Sequence, residues 1–266
     1  MKFMIAGLGS IGRRHLRNLI ALGEEDILLY RSGKGTLPDD ELEGYLSEVD
    51  LDSALAHDPD AVIVSNPTAL HLDVAIPAAE MGCHLLLEKP ISHNLERVDE
   101  LQAAVERGGG NVLVGYQFRF HPGLQAVKCW LEEGRIGKTT SAHAHWGEYL
   151  PDWHPWEDYR SSYSARSDLG GGVVLTLCHP FDYLRWLLGD VESIFGLVGN
   201  LADLGLEVED TADVVLRFES GALGSVHLDY HQRPATHNLE IIGTQGTIHW
   251  DNQDGVTRKY QADSQE

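Results

Sequence analysis

A short apolar run, Lys2–Leu8, leads directly into Gly7-Leu-Gly9-Ser10-Ile11-Gly12, and helical spacing follows from Ile11 to Leu22. Three glycines at this spacing between a strand and a helix sharply limit what the chain can build. The first allows a tight turn, the second lets backbone approach a pyrophosphate, and the third lets helix and strand pack closely. The helix start, at Ser10 and Ile11, then offers unpaired N–H groups to an anion. Glycines alone also serve ordinary turns. The strand–loop–helix context is what makes Gly7, Gly9, Ser10, Ile11 and Gly12 candidate dinucleotide ligands.

The rest of the first ~120 residues supports a parallel, doubly wound sheet. Strand-like runs at 27–30, 61–65, 84–87 and 111–116 alternate with helical stretches at 70–81 and 94–107. They are almost wholly apolar, as expected of strands covered on both faces. After His121-Pro122 the pattern changes. Residues 139–149, 210–218, 222–230 and 237–242 alternate in polarity, with turns at 219–221 and 243–246, which predicts an open, mostly antiparallel sheet. The expected architecture is α/β: a dinucleotide-binding domain over 1–121 and a substrate-binding and oligomerisation domain over 122–266.

Composition narrows the function classes. The apolar fraction of 42% suits a globular core, and the formal net charge of −21 disfavours a nucleic-acid partner, whose phosphates need a basic surface. No apolar run approaches the ~20 residues that span a bilayer. Cys83, Cys129 and Cys178 are odd in number and widely spaced, which suits reduced thiols and a cytoplasmic setting. An anionic cofactor on so acidic a chain needs a local basic patch. An NAD site usually places an acid about 20 residues past the glycines. Here the second strand ends in Tyr30-Arg31-Ser32-Gly33-Lys34, with no carboxylate. Arg31 and Ser32, with Lys34 nearby, suit a 2′-phosphate, so NADP is favoured over NAD; a solvated basic loop is the plainer explanation.

Three further segments follow strand ends: Ser65-Asn66-Pro67-Thr68 with His71, Glu88-Lys89-Pro90, and Gly115-Tyr116-Gln117-Phe118-Arg119-Phe120-His121-Pro122. Ligands of open parallel sheets bind beyond the carboxyl ends of the strands, so these segments are expected to line one crevice. That makes Ser65, Asn66, Pro67, His71, Glu88, Lys89 and Gln117 candidate cofactor contacts and Arg119 a candidate substrate contact. A strand-end lysine beside a cofactor can be tuned for acid/base work, although spacing alone equally fits a surface lysine in a proline turn.

Together with the segment GGGVVLTLCHPFDYLRWLLG at 170–189, these motifs resemble the Gfo/Idh/MocA oxidoreductases over nearly the whole chain, in order and spacing. The resemblance implies a Rossmann domain, a C-terminal α/β domain, and NAD(P)-dependent hydride transfer at a hydroxyl or keto carbon of a sugar, cyclitol or nucleotide-linked sugar. It also implies that Lys89 contacts the substrate hydroxyl and nicotinamide ribose, and that His179 is the active-site histidine. Several features depart from the family pattern. Leu175 and Thr176 stand where relatives often carry an aspartate, and Gln117 stands for a frequent asparagine. This chain stops at GVTRKYQADSQE, whereas relatives usually continue with more strands and a helix. A truncated chain and a short family member both fit the last point.

Taken as one helix, 173–188 places Val173, Val174, Leu177, Phe181, Leu184, Leu187 and Leu188 on an apolar face. His179 and Asp182 fall opposite, and Thr176 borders their strip. Pro180 either kinks this helix or opens a new one in its first turn. Acid/base work is expected of Lys89 and His179, with Asp182 the nearest carboxylate to steady the imidazole. Just upstream, Trp153, Tyr163 and Arg166 belong to an aromatic and cationic loop that suits a sugar ring or an oligomer interface. A homo-oligomer through the C-terminal sheet is expected. His143 and His145 share a strand face but make half a metal site, so no metal is expected. In the second half of the chain Tyr159-x-x-x-Tyr163 is the nearest approach to the Tyr-x-x-x-Lys pair of a short-chain dehydrogenase and lacks the lysine, which argues against that class. A dinucleotide-binding sensor without turnover is the alternative from another class.

Overall fold

The computed structural model of the protein describes residues 1–33 and 35–261, so Lys34 lies outside the described residues. The chain divides into two compact units, Met1–Gly115 with Asp168–Gly171, and Tyr116–Ser167 with Gly172 onward.

In the first unit, β1 (Phe3–Ala6), α1 (Ser10–Ala21), β2 (Ile27–Tyr30), β3 (Leu46–Glu48), α2 (Leu51–Leu55), β4 (Ala61–Val64), α3 (His71–Glu80), β5 (His84–Leu87), α4 (Val98–Gly108) and β6 (Val112–Val114) follow one another. All six strands are parallel, in the order β3-β2-β1-β4-β5-β6. Period-2 alternation divides their apolar residues between two cores. Met4, Ala6, Val62, Val64, Leu85 and Leu87 pack with α3 and α4 on one face. Ile5, Leu29 and Ile63 meet Leu16 and Leu19 of α1 on the other. The expectation that every strand is covered on both faces fails at β6. It is an edge strand, and Leu113 is 58% exposed.

In the second unit, α5 (Pro122–Glu132), β7 (Thr139–Gly147), α6 (Val173–Thr176), α7 (His179–Leu188), β8 (Val191–Gly199), β9 (Thr211–Phe218), β10 (Leu223–Asp229), β11 (Thr236–Gly243), β12 (Gly246–Asp251) and β13 (Val256–Gln261) build a seven-stranded sheet with its helices. The strand order is β13-β12-β11-β7-β10-β9-β8, antiparallel except where β10 runs parallel to β7. One face buries Ala142, Ala144, Val214, Leu216, Val226, Leu228, Ile241 and Trp250 against α5, α6 and α7. The alternate residues form the other face.

Two sequence expectations change here. The units divide at Gly115/Tyr116 rather than at 121/122. The cause is Gln117–Phe120, a single 3-10 turn whose Phe118 ring packs edge-on to Trp146, His237 and Trp250 of the second unit. The stretch 173–188 is also not one helix. α6 ends at Thr176, Leu177 leaves helical geometry at φ −101° and ψ 31°, and α7 starts at His179 with Pro180 in its first turn. Proline there needs no amide partner, so the helix restarts instead of kinking. The buried face of α7 is consequently His179, Pro180, Tyr183 and Leu184, not the stripe a continuous helix would present.

Candidate active site

In the first unit the glycine loop has almost no freedom to change. Gly7 has φ +93°, and a Cβ there would lie 2.5 Å from the Asn66 nitrogen; at Gly12 it would lie 1.9 Å from the Gly7 carbonyl oxygen. Around Gly9 the space is open, with nothing within 4 Å of such a Cβ. Ser65 fixes the loop from the end of β4, its hydroxyl donating to the carbonyls of Ala6 and Gly7 at 3.1 and 2.9 Å. Helix α1 has Gly9 as its N-cap residue, with no side-chain cap and no acid in its first turn. The N–H groups at Ser10 and Ile11 would therefore meet an anion without a competing carboxylate in the first turn. Asn66 supplies a buried Oδ1 that has no hydrogen-bond partner. The open cradle over Gly9, the uncapped helix and this acceptor together fit a dinucleotide.

His71 joins two of the predicted segments. Its Nδ1 faces the Pro90 carbonyl at 2.9 Å and its Nε2 the Asn66 carbonyl at 3.0 Å. A neutral imidazole has one N–H for these two acceptors. Burial pushes the ring toward the neutral form, and the two carbonyls oppose this; its pKa ends below the ordinary value. Glu88 bonds His15 of α1 at 2.8 Å. Burial pushes that carboxyl up, but His15 and then Lys89 outweigh it and hold the group below its usual range. The structure thus gathers Gly7, Gly9, Ser65, Asn66, Pro67, His71, Glu88 and Lys89 at the carboxyl ends of adjacent parallel strands.

Arg13, Arg17 and Arg31 already have carboxylate or carbonyl partners. Arg31 donates to Asp39 Oδ2 at 2.5 Å, and this bond holds the Asp39 carboxyl below its usual range. Arg13 is buried and donates to the carbonyls of Leu8, Leu37 and Pro38 and to Glu41, which Arg17 also engages. Ser32 is exposed. An acidic turn at 38–42 therefore already pairs Arg31, one of the residues expected to receive a 2′-phosphate. The sequence carried the signal as Pro-Asp-Asp-Glu-Leu, but nothing local says which arginines it reaches.

In the second unit, His179 is 1% exposed at the start of α7. Phe118 and Tyr116 meet it edge-on at 4.9 and 5.9 Å, and Trp146 stacks at 5.6 Å. This aromatic surround fixes the plane of the ring and keeps water from it. Both oxygens of Asp182 accept from Arg119, at 2.9 and 2.6 Å in a bidentate pair. A fork of this kind holds both partners in one geometry. Thr176, Tyr163 and Trp153 gather elsewhere, around the buried Tyr230. The Thr176 hydroxyl faces the Tyr230 hydroxyl, which donates to the Ser164 carbonyl at 3.3 Å, and Trp153 lies edge-on to the ring at 5.6 Å. Trp153 Nε1 is buried with no hydrogen-bond partner. Arg166 is exposed and lines, with Arg160, a cavity of about 290 Å³. Gln117 is exposed on its 3-10 turn.

Sequence reasoning missed His237. It is 4% exposed, lies 4.1 Å from Trp146 in a 5° stack, and neither ring nitrogen has a hydrogen-bond partner. Burial, then the nearby charges of His121 and His145, push its pKa down to about 3. Trp146 was missed because an aromatic residue on an alternating strand such as β7 looks like core.

Residues 1–116 match the family described as "Oxidoreductase family, NAD-binding Rossmann fold", and residues 124–249 match "GFO/IDH/MocA C-terminal domain". A myo-inositol 2-dehydrogenase of Thermotoga maritima is 31% identical over 95% of this chain and 75% of its own length. The scyllo-inositol 2-dehydrogenase (NAD(+)) of Bacillus subtilis is 29% identical over 92% of this chain and 72% of its own. The WlbA dehydrogenase of Bordetella pertussis, solved with NADH and UDP-GlcNAcA, superimposes with a TM-score of 0.87 at 26% identity, covering 99% of this chain and 78% of that one. With both halves matched, the chain belongs to the GFO/IDH/MocA family of oxidoreductases.

Proposed function

We propose that the protein is an NAD(P)-dependent dehydrogenase or reductase acting on a CH–OH carbon of a sugar, cyclitol or nucleotide-linked sugar. The observation that carries this reading is the glycine loop, with its open cradle at Gly9 and uncapped α1, in a chain whose relatives are named inositol dehydrogenases. Gly7, Gly9, Gly12, Ser10, Ile11, Ser65, Asn66, Pro67 and His71 would hold the dinucleotide, which supplies a hydride acceptor or donor. The chain supplies the proton. Lys89 holds or releases it at the substrate oxygen, and His179 shares that work with its ring held by Tyr116, Phe118 and Trp146. Arg119, on the 3-10 turn, and Asp182, on α7, act as a positioning pair, not as proton carriers. Arg160 and Arg166 suit an anionic group on the substrate, as on a uronic acid.

The Arg31–Asp39 pair turns the cofactor expectation from NADP toward NAD. A 2′-phosphate at Arg31 must displace a carboxylate already 2.5 Å away, whereas a ribose hydroxyl need not. A homo-oligomer is supported by β8, where Ile194, Phe195, Leu197 and Val198 are all more than 60% exposed. A second copy covering that strand is the simplest way to remove so much apolar surface from water. Cys83, Cys129 and Cys178 are unbridged, which supports a reducing, cytoplasmic setting. Among the described residues no helix is long and apolar enough to cross a membrane.

The test is nicotinamide absorbance with NAD(H) and NADP(H) against a panel of inositols, aldoses and nucleotide-linked uronic acids. Turnover of at least one is expected. Tight dinucleotide binding with no turnover across the panel would replace this reading with a non-catalytic sensor.

A further inference from the structure

The face of the second sheet opposite α5 and α7 carries a cluster that the oxidoreductase reading leaves unused. His143 and His145 point the same way from β7, as their spacing predicts. The parallel neighbour β10 sets His227 beside His145 and Asp229 beside Gly147, and β9 sets Asp213 opposite His227. One ligand atom each from His145, His227 and Asp229 lies within 4.8 Å of the other two. The imidazole Nε2 atoms of His145 and His227 stand 3.7 and 3.3 Å from Asp229 Oδ2.

The polar bookkeeping of this cluster is unusual. Asp229 is 0% exposed. Its Oδ1 accepts from the amides of His231 and Gln232 at 2.9 and 2.6 Å, but Oδ2 makes no well-formed hydrogen bond and meets only the imidazoles of His227 and His145, as ion-pair partners at 3.3 and 3.7 Å. A buried carboxylate oxygen seldom goes unsatisfied, so such an atom calls for an explanation. Gly147 leaves room for it, since a Cβ there would fall 2.2 Å from Oδ2. The other nitrogen of His227 faces Asp213 Oδ1 at 2.8 Å. That arrangement, a carboxylate behind an imidazole, orients metal-binding histidines and settles their tautomer.

We propose that His145, His227 and Asp229 form a binding site for a divalent transition metal such as Zn²⁺, with Asp213 as a positioning residue behind His227. Two imidazoles and one carboxylate make a three-ligand set that leaves a fourth position open. Zinc bonds of ~2.0–2.2 Å place neighbouring tetrahedral ligands roughly 3.3–3.6 Å apart, close to the 3.3 and 3.7 Å separations found. The open position faces a cavity of about 360 Å³ also lined by His143, Glu240 and His249. Imidazole ligands favour zinc, iron, cobalt or nickel over magnesium or calcium. Trp146, which stacks on His179, projects from β7 to the opposite face, so the metal stabilises the sheet and takes no part in hydride transfer. Sequence spacing showed only the His143 and His145 half, because the partners arrive through pairing of strands that are not neighbours in the chain.

The full chain, prepared without a polyhistidine tag and stripped with EDTA, is titrated with Zn²⁺ against a competing chelator and, separately, with Co²⁺ followed by visible absorption. One metal per chain, a tetrahedral cobalt spectrum and a higher melting temperature with zinc are expected. His145 and His227 side chains are 35% and 34% exposed, so His145→Ala and His227→Ala leave the core intact and should each weaken binding at least ~100-fold. Asp213→Asn should weaken it ~10-fold, as loss of an orienting partner does. Absence of stoichiometric zinc binding, or affinity unchanged in both histidine variants, would overturn the site and leave an ion-paired cluster around Asp229.

Discussion

Replacing His237 by phenylalanine should make the second unit more resistant to acid. The ring sits on β11 between Trp146 and the edges of Phe118 and Trp250, at 4.1, 4.8 and 5.0 Å, with no hydrogen-bond partner for either nitrogen. Protonation there would bury a charge with nothing to pair it, and the pKa falls to about 3. In the unfolded chain the same ring titrates near ~6.5. Between those values the unfolded state binds a proton that the folded state refuses, so stability rises with pH across that window. The contribution of neutral His237 is complete above ~6.5 and is lost as pH falls toward ~3. At ~1.36 kcal/mol per unit, the loss at pH 5 is about 2 kcal/mol, and it is the same for any folded pKa well below 5. All six tryptophans lie in the second unit, so urea unfolding followed by their fluorescence reports on it alone. Wild type and His237→Phe are compared at pH 7 and pH 5. The difference in stability between the two proteins should move by about 2 kcal/mol in favour of the variant at the lower pH. Histidines and carboxylates common to both cancel in that difference. Equal losses in both proteins would mean that His237 is charged in the fold or titrates normally, and the aromatic cage would need another explanation.

Two other outcomes follow from the same geometry. Asp39→Asn frees Arg31 from its carboxylate and should raise the kcat/KM ratio for NADP over NAD by roughly two- to fivefold, the usual worth of an exposed pair; an unchanged ratio removes the Arg31–Asp39 pair from cofactor choice. Phe195→Glu puts a charge in the exposed apolar stretch of β8 and should shift the protein to a smaller species in light scattering at micromolar concentration, while an unchanged mass places the interface elsewhere.

Much of the first unit was legible because its information is local. Buried parallel strands are short apolar runs, and Gly7, Gly9 and Gly12 mark the turn between one of them and α1. The strand-end motifs around Ser65, Asn66, Glu88 and Lys89 could be placed for the same reason, since chain order in a doubly wound sheet sets which ends face the ligand. What could not be read depends on distant partners. Arg13 meets Glu41, Arg31 meets Asp39, and Arg119 meets Asp182 through folding of segments whose spacing predicts nothing. The break between α6 and α7 was legible only as one of two alternatives at Pro180, because apolar periodicity runs straight through Leu177 and Cys178. Strand β8 was missed because its residues are apolar on both faces of an edge, without the alternation that marked β9 and β10. His227 and Asp229 became neighbours of His145 only through a parallel pairing inside a mostly antiparallel sheet.

The most direct measurement is single-turnover hydride transfer, read by nicotinamide absorbance with the substrate found in the panel, in wild type, Lys89→Ala and His179→Gln. Circular dichroism and dinucleotide affinity are checked in each protein, so that a folding defect is not mistaken for a chemical one. Loss of ~10²–10⁴ in rate in both variants, with the dinucleotide still bound, is the predicted result. Transfer at the wild-type rate in both variants would contradict the assignment of the proton to Lys89 and His179.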